Sequence, residues 1–192
     1  MKKFSKWIFD LDGTLTQNNL DFNKIRDELK IPEDILILEY LKKLPPKEAH
    51  NLQNKLSVLE HEMIEGTKIA PGAAKLLSLL QSKNFPLAIL TRNTKVNAIR
   101  TLEQIALSTY FNPDTIIGRT EAKPKPSPDG IFLILRKWQE NKDNCVIVGD
   151  FNLDIKCGQN AGINTIYVNA VDSCSFANFS VNCLDDIIKR LS

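Results

Sequence analysis

No apolar run in the sequence is long enough to cross a bilayer. The opening residues, Met1-Lys2-Lys3-Phe4-Ser5-Lys6, lead only into Trp7-Ile8-Phe9 before a carboxylate interrupts them. That is too short for an export signal, so the chain reads as a soluble, cytoplasmic protein with no membrane partner. A basic stripe is also lacking. The 25 Lys and Arg nearly balance the 23 Asp and Glu, for a formal net charge of +2. This argues against nucleic acid as a partner. There are four cysteines, Cys145, Cys157, Cys174 and Cys183, with no Cys-x-x-Cys pair, and the two histidines lie far from them. Zinc is not expected. Cys145 opens an apolar run and Cys157 falls in an expected helix, so both read as buried free thiols in a reducing compartment. No Gly-x4-Gly-Lys-Ser/Thr segment occurs, which argues against a P-loop enzyme. Internal repeats and low-complexity tracts are missing too.

What the chain does have is a series of short apolar runs: Trp7-Ile8-Phe9, Leu87–Leu90, Thr115-Ile116-Ile117, Val146-Ile147-Val148 and Thr165–Val168. They are continuous rather than alternating, as suits parallel strands covered on both faces. Helical spacing lies between them. Ala74, Leu76, Leu77, Leu79 and Leu80 mark residues 72–82. Val96, Ile99, Leu102 and Ile105 or Ala106 mark 95–107, and Ile131, Phe132, Ile134 and Leu135 mark 129–138. Leu184, Ile187, Ile188 and Leu191 suggest a closing helix, with Phe176 and Phe179 packing a late turn. The expected fold is a doubly wound α/β domain with a parallel sheet, Rossmann-like in its layering.

Residues 17–70 break this alternation, because they contain no strand-like run. Asp21 could cap a helix bearing Phe22, Ile25 and Leu29, and Leu36, Ile37, Leu38 and Leu41 suggest a second. Pro45-Pro46 opens a third, striped by Ala49, Leu52, Leu56, Leu59 and Met63 and ended by Gly66. The division is therefore a core of residues 1–16 and 71–192 with a helical insert at 17–70. His50 and His61 lie off the stripe and read as solvated. Lys42 and Lys43 suit a helix end.

Carboxylates gather at two strand ends. Asp10 closes the first apolar run, and Asp12-Gly13-Thr14-Leu15-Thr16 follows. In open α/β sheets the ligand crevice lies beyond the carboxyl ends of the strands. Two carboxylates there can act as nucleophile and as general acid/base, although a strand followed by a plain Asp-Gly turn accounts for this segment alone equally well. Asp150 closes Val146-Ile147-Val148-Gly149, with Asp154 four residues on. Such oxygen donors suit magnesium, while a turn aspartate and a helix-start charge would look the same. Thr91, with Arg92 and Asn93, ends another strand before a helix, where backbone N–H groups can seat a phosphoryl group. In Lys123-Pro124-Lys125-Pro126-Ser127-Pro128-Asp129 the prolines stiffen a loop that could aim either lysine at the crevice.

Taken in order, Asp10-Leu11-Asp12-Gly13-Thr14-Leu15-Thr16, Thr91 with Asn93, Lys125-Pro126-Ser127-Pro128-Asp129, and Gly149-Asp150 with Asp154 resemble the four motifs of the haloacid dehalogenase-like superfamily. The likeness is to its phosphatase branch, especially the phosphoglycolate-phosphatase-like group, and it spans residues 7 to about 168. It implies a magnesium-dependent phosphoric monoester hydrolase. Asp10 would attack phosphorus, Asp12 would serve as acid and base, and Thr91, Arg92, Asn93 and Lys125 would bind phosphate. Asp10, Asp150 and the backbone carbonyl of Asp12 would hold Mg2+, with Asp154 as ligand or supporting partner. The insert would be a cap hinged near Thr16–Asn19 and Gly66–Pro71, leaving a chamber for a small phosphorylated metabolite. A monomer or homodimer is expected. Two alternatives share the carboxylates: a sugar phosphomutase, and a regulatory domain phosphorylated on aspartate without turnover.

Overall fold

The computed structural model describes residues 1–17, 22–169, 171 and 173–191. The insert forms helices α1 (Phe22–Leu29), α2 (Ile37–Leu41) and α3 (Pro46–Glu62). The core contributes six strands, β1 (Lys6–Phe9), β2 (Leu87–Leu90), β3 (Ile116–Ile117), β4 (Cys145–Gly149), β5 (Asn164–Val168) and β6 (Phe179–Val181). It also contributes helices α4 (Ala73–Ser82), α5 (Lys95–Gln104), α6 (Asp129–Trp138), α7 (Asn152–Ala161) and α8 (Leu184–Leu191). The strand order is β3-β2-β1-β4-β5-β6, and every neighbouring pair is parallel. This is the expected doubly wound α/β sheet. Its order reverses direction at β1, which lies between β2 and β4, and the carboxyl ends of those strands open into one crevice.

Strand pleat divides the core into two layers. Trp7, Phe9, Val146 and Val148 pack on one face with α4, α5 and α8. Ile8, Cys145 and Ile147 pack on the other with α6 and α7. Phe4, Trp7 and Phe9 form an aromatic row, with successive ring centroids 6.1 Å apart. Cys145, Cys157 and Cys174 are buried free thiols. No helix among the described residues is long and apolar enough to span a membrane.

Several local expectations change. The segment around Phe179 is strand β6, not merely a turn. It pairs with β5, and the Phe179 ring meets Phe4 edge-on at 5.8 Å. Three alternating residues on an edge strand give no continuous apolar signal. Thr115 precedes β3 in a short 3-10 turn, Pro113–Thr115. Val96 and Phe132, expected on inward stripes, are exposed. In α5 the inward places go to Asn97, Ala98, Thr101 and Leu102, because buried hydrogen bonds let polar side chains occupy them. The third insert helix ends at Glu62, before Gly66. Asp21 and the hinge residues Asn18 and Asn19 lie outside the described residues.

The insert has its own apolar cluster, in which Ile25, Leu29, Ile37, Leu38, Leu41 and Leu56 are buried. The chain leaves and re-enters the core side by side. Thr16 bridges Ile69 in antiparallel fashion, the Gln17 amide donates to the Lys68 carbonyl at 2.8 Å, and the Ala70 amide donates to the Leu15 carbonyl at 2.9 Å.

α7 can lie close on the sheet because of Gly158. A Cβ there would stand 2.5 Å from Thr165 Cγ2 and 2.6 Å from Ile147 Cγ2. Gly158→Val should therefore lower unfolding free energy by about 3 kcal/mol, since both neighbours are sheet side chains that cannot yield. Gly66, which faces open space, should tolerate alanine with little change. Urea unfolding of the two variants checks this contrast.

Candidate active site

The site grows from the turn after β1. The Asp10 amide donates to the Val148 carbonyl at 2.9 Å, which carries the sheet ladder one residue further. The next residues wrap around the Leu11 carbonyl, which accepts from the amides of Leu15 (3.0 Å) and Thr16 (3.1 Å) and from the Thr16 hydroxyl (3.3 Å). Gly13 sits at φ +91°, where a side chain is strained, and a Cβ there would collide with the Asp150 carboxylate. Its absence lets β4's terminal carboxylate approach, and the Thr14 hydroxyl then donates to Asp150 Oδ1 at 3.0 Å.

Lys125 ties the cluster together. Its ammonium is 2.5 Å from Asp10 Oδ1 and 2.5 Å from Asp154 Oδ1. All three side chains are buried. The second oxygen of Asp154 accepts the Phe151 amide at 3.0 Å, fixing the start of α7. Lys123 instead points outward, 3.8 Å from Asp129. Of the two lysines in the proline-rich loop, Lys125 is the one the fold brings to the crevice.

Thr91, at the end of β2, accepts the Asn93 amide at 3.0 Å and makes a long 3.5 Å contact to Asp12 Oδ2. Asn93 Oδ1 accepts the Thr94 amide at 2.8 Å. Arg92 was expected among the phosphate ligands, but its guanidinium is engaged elsewhere. It pairs with Glu39 of α2 at 2.7 Å and donates to the Lys125 carbonyl at 2.6 Å.

Three residues that the sequence reading missed join insert to core: Glu39, Glu60 and Arg119. Arg119 follows β3 and grips both oxygens of Glu60 on α3, at 2.8 and 2.9 Å. It also donates to Ser57 Oγ at 3.0 Å and to the Arg92 carbonyl at 3.1 Å, and its amide donates to the Asn93 carbonyl at 3.0 Å. Each residue of the pair carries a local signal of its own, though none that names its partner. Arg119 stands just beyond a strand end, and Glu60 lies four residues after buried Leu56, a charge on an inward face.

The electrostatics follow from crowding. Burial raises the Asp10 carboxyl well above its usual range despite the nearby Lys125 charge, and Asp154 and Asp150 push it further. Burial likewise raises Asp12, with Lys125 opposing. Asp150 is pushed up to about 6, by burial and then by Asp154. Burial works against the Lys125 ammonium, yet the Asp10 and Asp154 carboxylates hold it charged above the ordinary lysine range. Carboxylates outnumber ammoniums here. Donor oxygens of Asp10, Asp150 and Asp154 come within 4.8 Å of one another. A hard, oxygen-seeking divalent cation fits this donor set. Asp154 joins Asp10 and Asp150 in this side-chain set.

Asp10, Asp12, Thr91, Arg92, Asn93, Lys125, Asp150 and Asp154 all border one cavity of about 340 Å³, which residues of the insert also line. Asp10, Asp12 and Lys125 thus border one cavity, two carboxylates beside a fixed cation.

Comparison with known proteins agrees with this arrangement. The chain is 30% identical over 176 residues to a phosphoglycolate phosphatase of Aquifex aeolicus, covering 82% of this chain and 81% of that one. It is 29% identical to a haloacid dehalogenase-like hydrolase domain-containing protein of Arabidopsis thaliana, covering 95% and 78%. A hydrolase from Pseudomonas syringae superposes with a TM-score of 0.79 at 22% identity, covering 97% of both chains. The family profile described as haloacid dehalogenase-like hydrolase matches residues 7–168. Since that span runs from within β1 to the end of β5 and encloses every strand-end group of the cavity, the chain belongs to the haloacid dehalogenase-like hydrolase family.

Proposed function

We propose that this enzyme hydrolyses a small phosphomonoester through an aspartyl phosphate on Asp10. The observation that carries the reading is the single buried ammonium of Lys125 shared by Asp10 and Asp154, with Asp12 and Thr91 in the same cavity. Relatives named as phosphoglycolate phosphatase and as pyrophosphatase add support for phosphoryl chemistry.

In this reading a carboxylate oxygen of Asp10 attacks phosphorus and the ester P–O bond breaks. Lys125 favours the ionised, nucleophilic form of Asp10 against its burial. Asp12, in its protonated form, gives a proton to the leaving alkoxide. Water then attacks phosphorus, Asp12 takes up the proton it loses, and Asp10 is released with inorganic phosphate. Thr91, Asn93 and Lys125 supply donors for the phosphoryl oxygens. Arg92 acts indirectly, by fixing the Lys125 backbone. Asp10, Asp150 and Asp154 would hold Mg2+, with the Asp12 carbonyl beside them, and the bound ion would neutralise charge on the phosphoryl oxygens. Residues 17–70 act as a cap, and the Glu39–Arg92 and Glu60–Arg119 pairs latch it shut over a small chamber. A phosphomutase would share the first step. Likeness to a putative beta-phosphoglucomutase of Thermotoga maritima, TM-score 0.72 at 20% identity, is a likeness of fold.

Two experiments test the proposal. Asp12→Ala should cost about a hundredfold in kcat for alkyl phosphates, whose leaving groups need a proton, and about tenfold or less for p-nitrophenyl phosphate. Equal losses would remove Asp12 from proton transfer. Chelation by EDTA should abolish turnover, and Asp150→Ala should raise the Mg2+ concentration for half-maximal rate at least ~tenfold. Full activity of the wild type in EDTA would overturn the metal assignment.

A further inference from the structure

The cavity that holds the four aspartates and Lys125 also has an apolar lining. Leu36, Ile37, Leu38 and Leu56 of the insert contribute to it, as do Phe151 and Leu153 of the core, which neighbour Asp150 and Asp154 in the chain. Phe151 follows Asp150 directly and is 49% exposed, a large ring left uncovered at the edge of a charged site. Leu36 and Leu153 are also only partly covered. Other charges on the wall are largely spent. Both oxygens of Glu60 go to Arg119, and Arg92 is held by Glu39 and the Lys125 carbonyl. Arg26 also lines the cavity.

We propose that the preferred substrate is a phosphate ester whose leaving group presents a contiguous apolar face, of about four to six carbons, rather than a short diacid such as phosphoglycolate. This inference rests on the phosphatase reading and names the substrate class for the same site. The leaving group must lie between the phosphoryl seat and the insert, where it covers Phe151 and Leu36. A carboxylate placed against those leucines would lose its water without gaining an equivalent partner. An alkyl chain there removes apolar surface from water on both sides, worth roughly fourfold in affinity for each buried methylene. A diacid drawn to Arg26 is the competing occupant.

A homologous series separates the two. Methyl, ethyl, n-butyl and n-hexyl phosphate leave as alcohols of similar acidity, so their demand on Asp12 is the same. With wild-type enzyme in magnesium chloride, kcat/KM should rise at least ~30-fold from methyl to n-butyl phosphate, and 2-phosphoglycolate should fall below n-butyl phosphate. Phe151→Ala should reduce kcat/KM for n-hexyl phosphate ~tenfold, at least ~fivefold more than for methyl phosphate, and Phe151→Leu should recover most of that difference. A flat series, or phosphoglycolate outpacing every alkyl ester, overturns the inference. If the series is flat while Asp10→Asn still abolishes turnover, the phosphatase reading stands alone. If turnover survives Asp10→Asn, both fall. The series on the wild type decides the matter even if the Phe151 variants fold poorly.

Discussion

One ammonium holds the site together. The chain sends buried carboxylates to the ends of β1 and β4, where mutual repulsion and lost hydration oppose them. Lys125 bridges Asp10 and Asp154 at 2.5 Å each. That bridge fixes the proline-rich loop onto β1 and the start of α7. Everything around it makes room or lends support. Gly13 lets Asp150 approach, Thr14 donates to Asp150, and the Phe151 amide donates to Asp154. An ion pair of this kind adds little net stability, but removing one partner leaves a buried charge alone. The arrangement specifies geometry more than it stabilises the fold.

Insert and core meet through a second set of charges that reuses the same loops. Arg92 reaches Glu39 with one nitrogen and the Lys125 carbonyl with the other. Arg119 grips Glu60 and donates to the Arg92 carbonyl. Each arginine thereby joins a glutamate of the insert to the backbone of a loop that carries a candidate phosphate ligand. Docking of the insert and placement of the loops that carry Thr91 and Lys125 share the same arginines, so a shift in one is felt in the other.

The sheet was legible where burial on both faces forces continuous apolar runs, as in Trp7-Ile8-Phe9 and Val146-Ile147-Val148. It was not legible at β6, whose Phe179-Ser180-Val181 lies on an edge and alternates. Val96 and Phe132 misled because an apolar residue beside a buried stripe looks like part of it until the helix is oriented. In the site, strand ends marked Asp10, Asp12 and Asp150 as candidates, since parallel topology dictates where those ends converge, and the order of the four motifs separated them from ordinary turn residues. The choice of Lys125 over Lys123 needed three dimensions. So did the Glu60–Arg119 pair, whose members are 59 residues apart. Local spacing carries no information about a partner at that distance.

The central claim is covalent. The measurement that tests it most directly is an acid quench during turnover of a 32P-labelled ester in magnesium chloride, followed by peptide mapping. The account predicts one acid-stable, hydroxylamine-labile phosphoryl group on the peptide that carries Asp10, and its loss in Asp10→Asn. Steady turnover with no label on the chain, or with label confined to another residue, would contradict it.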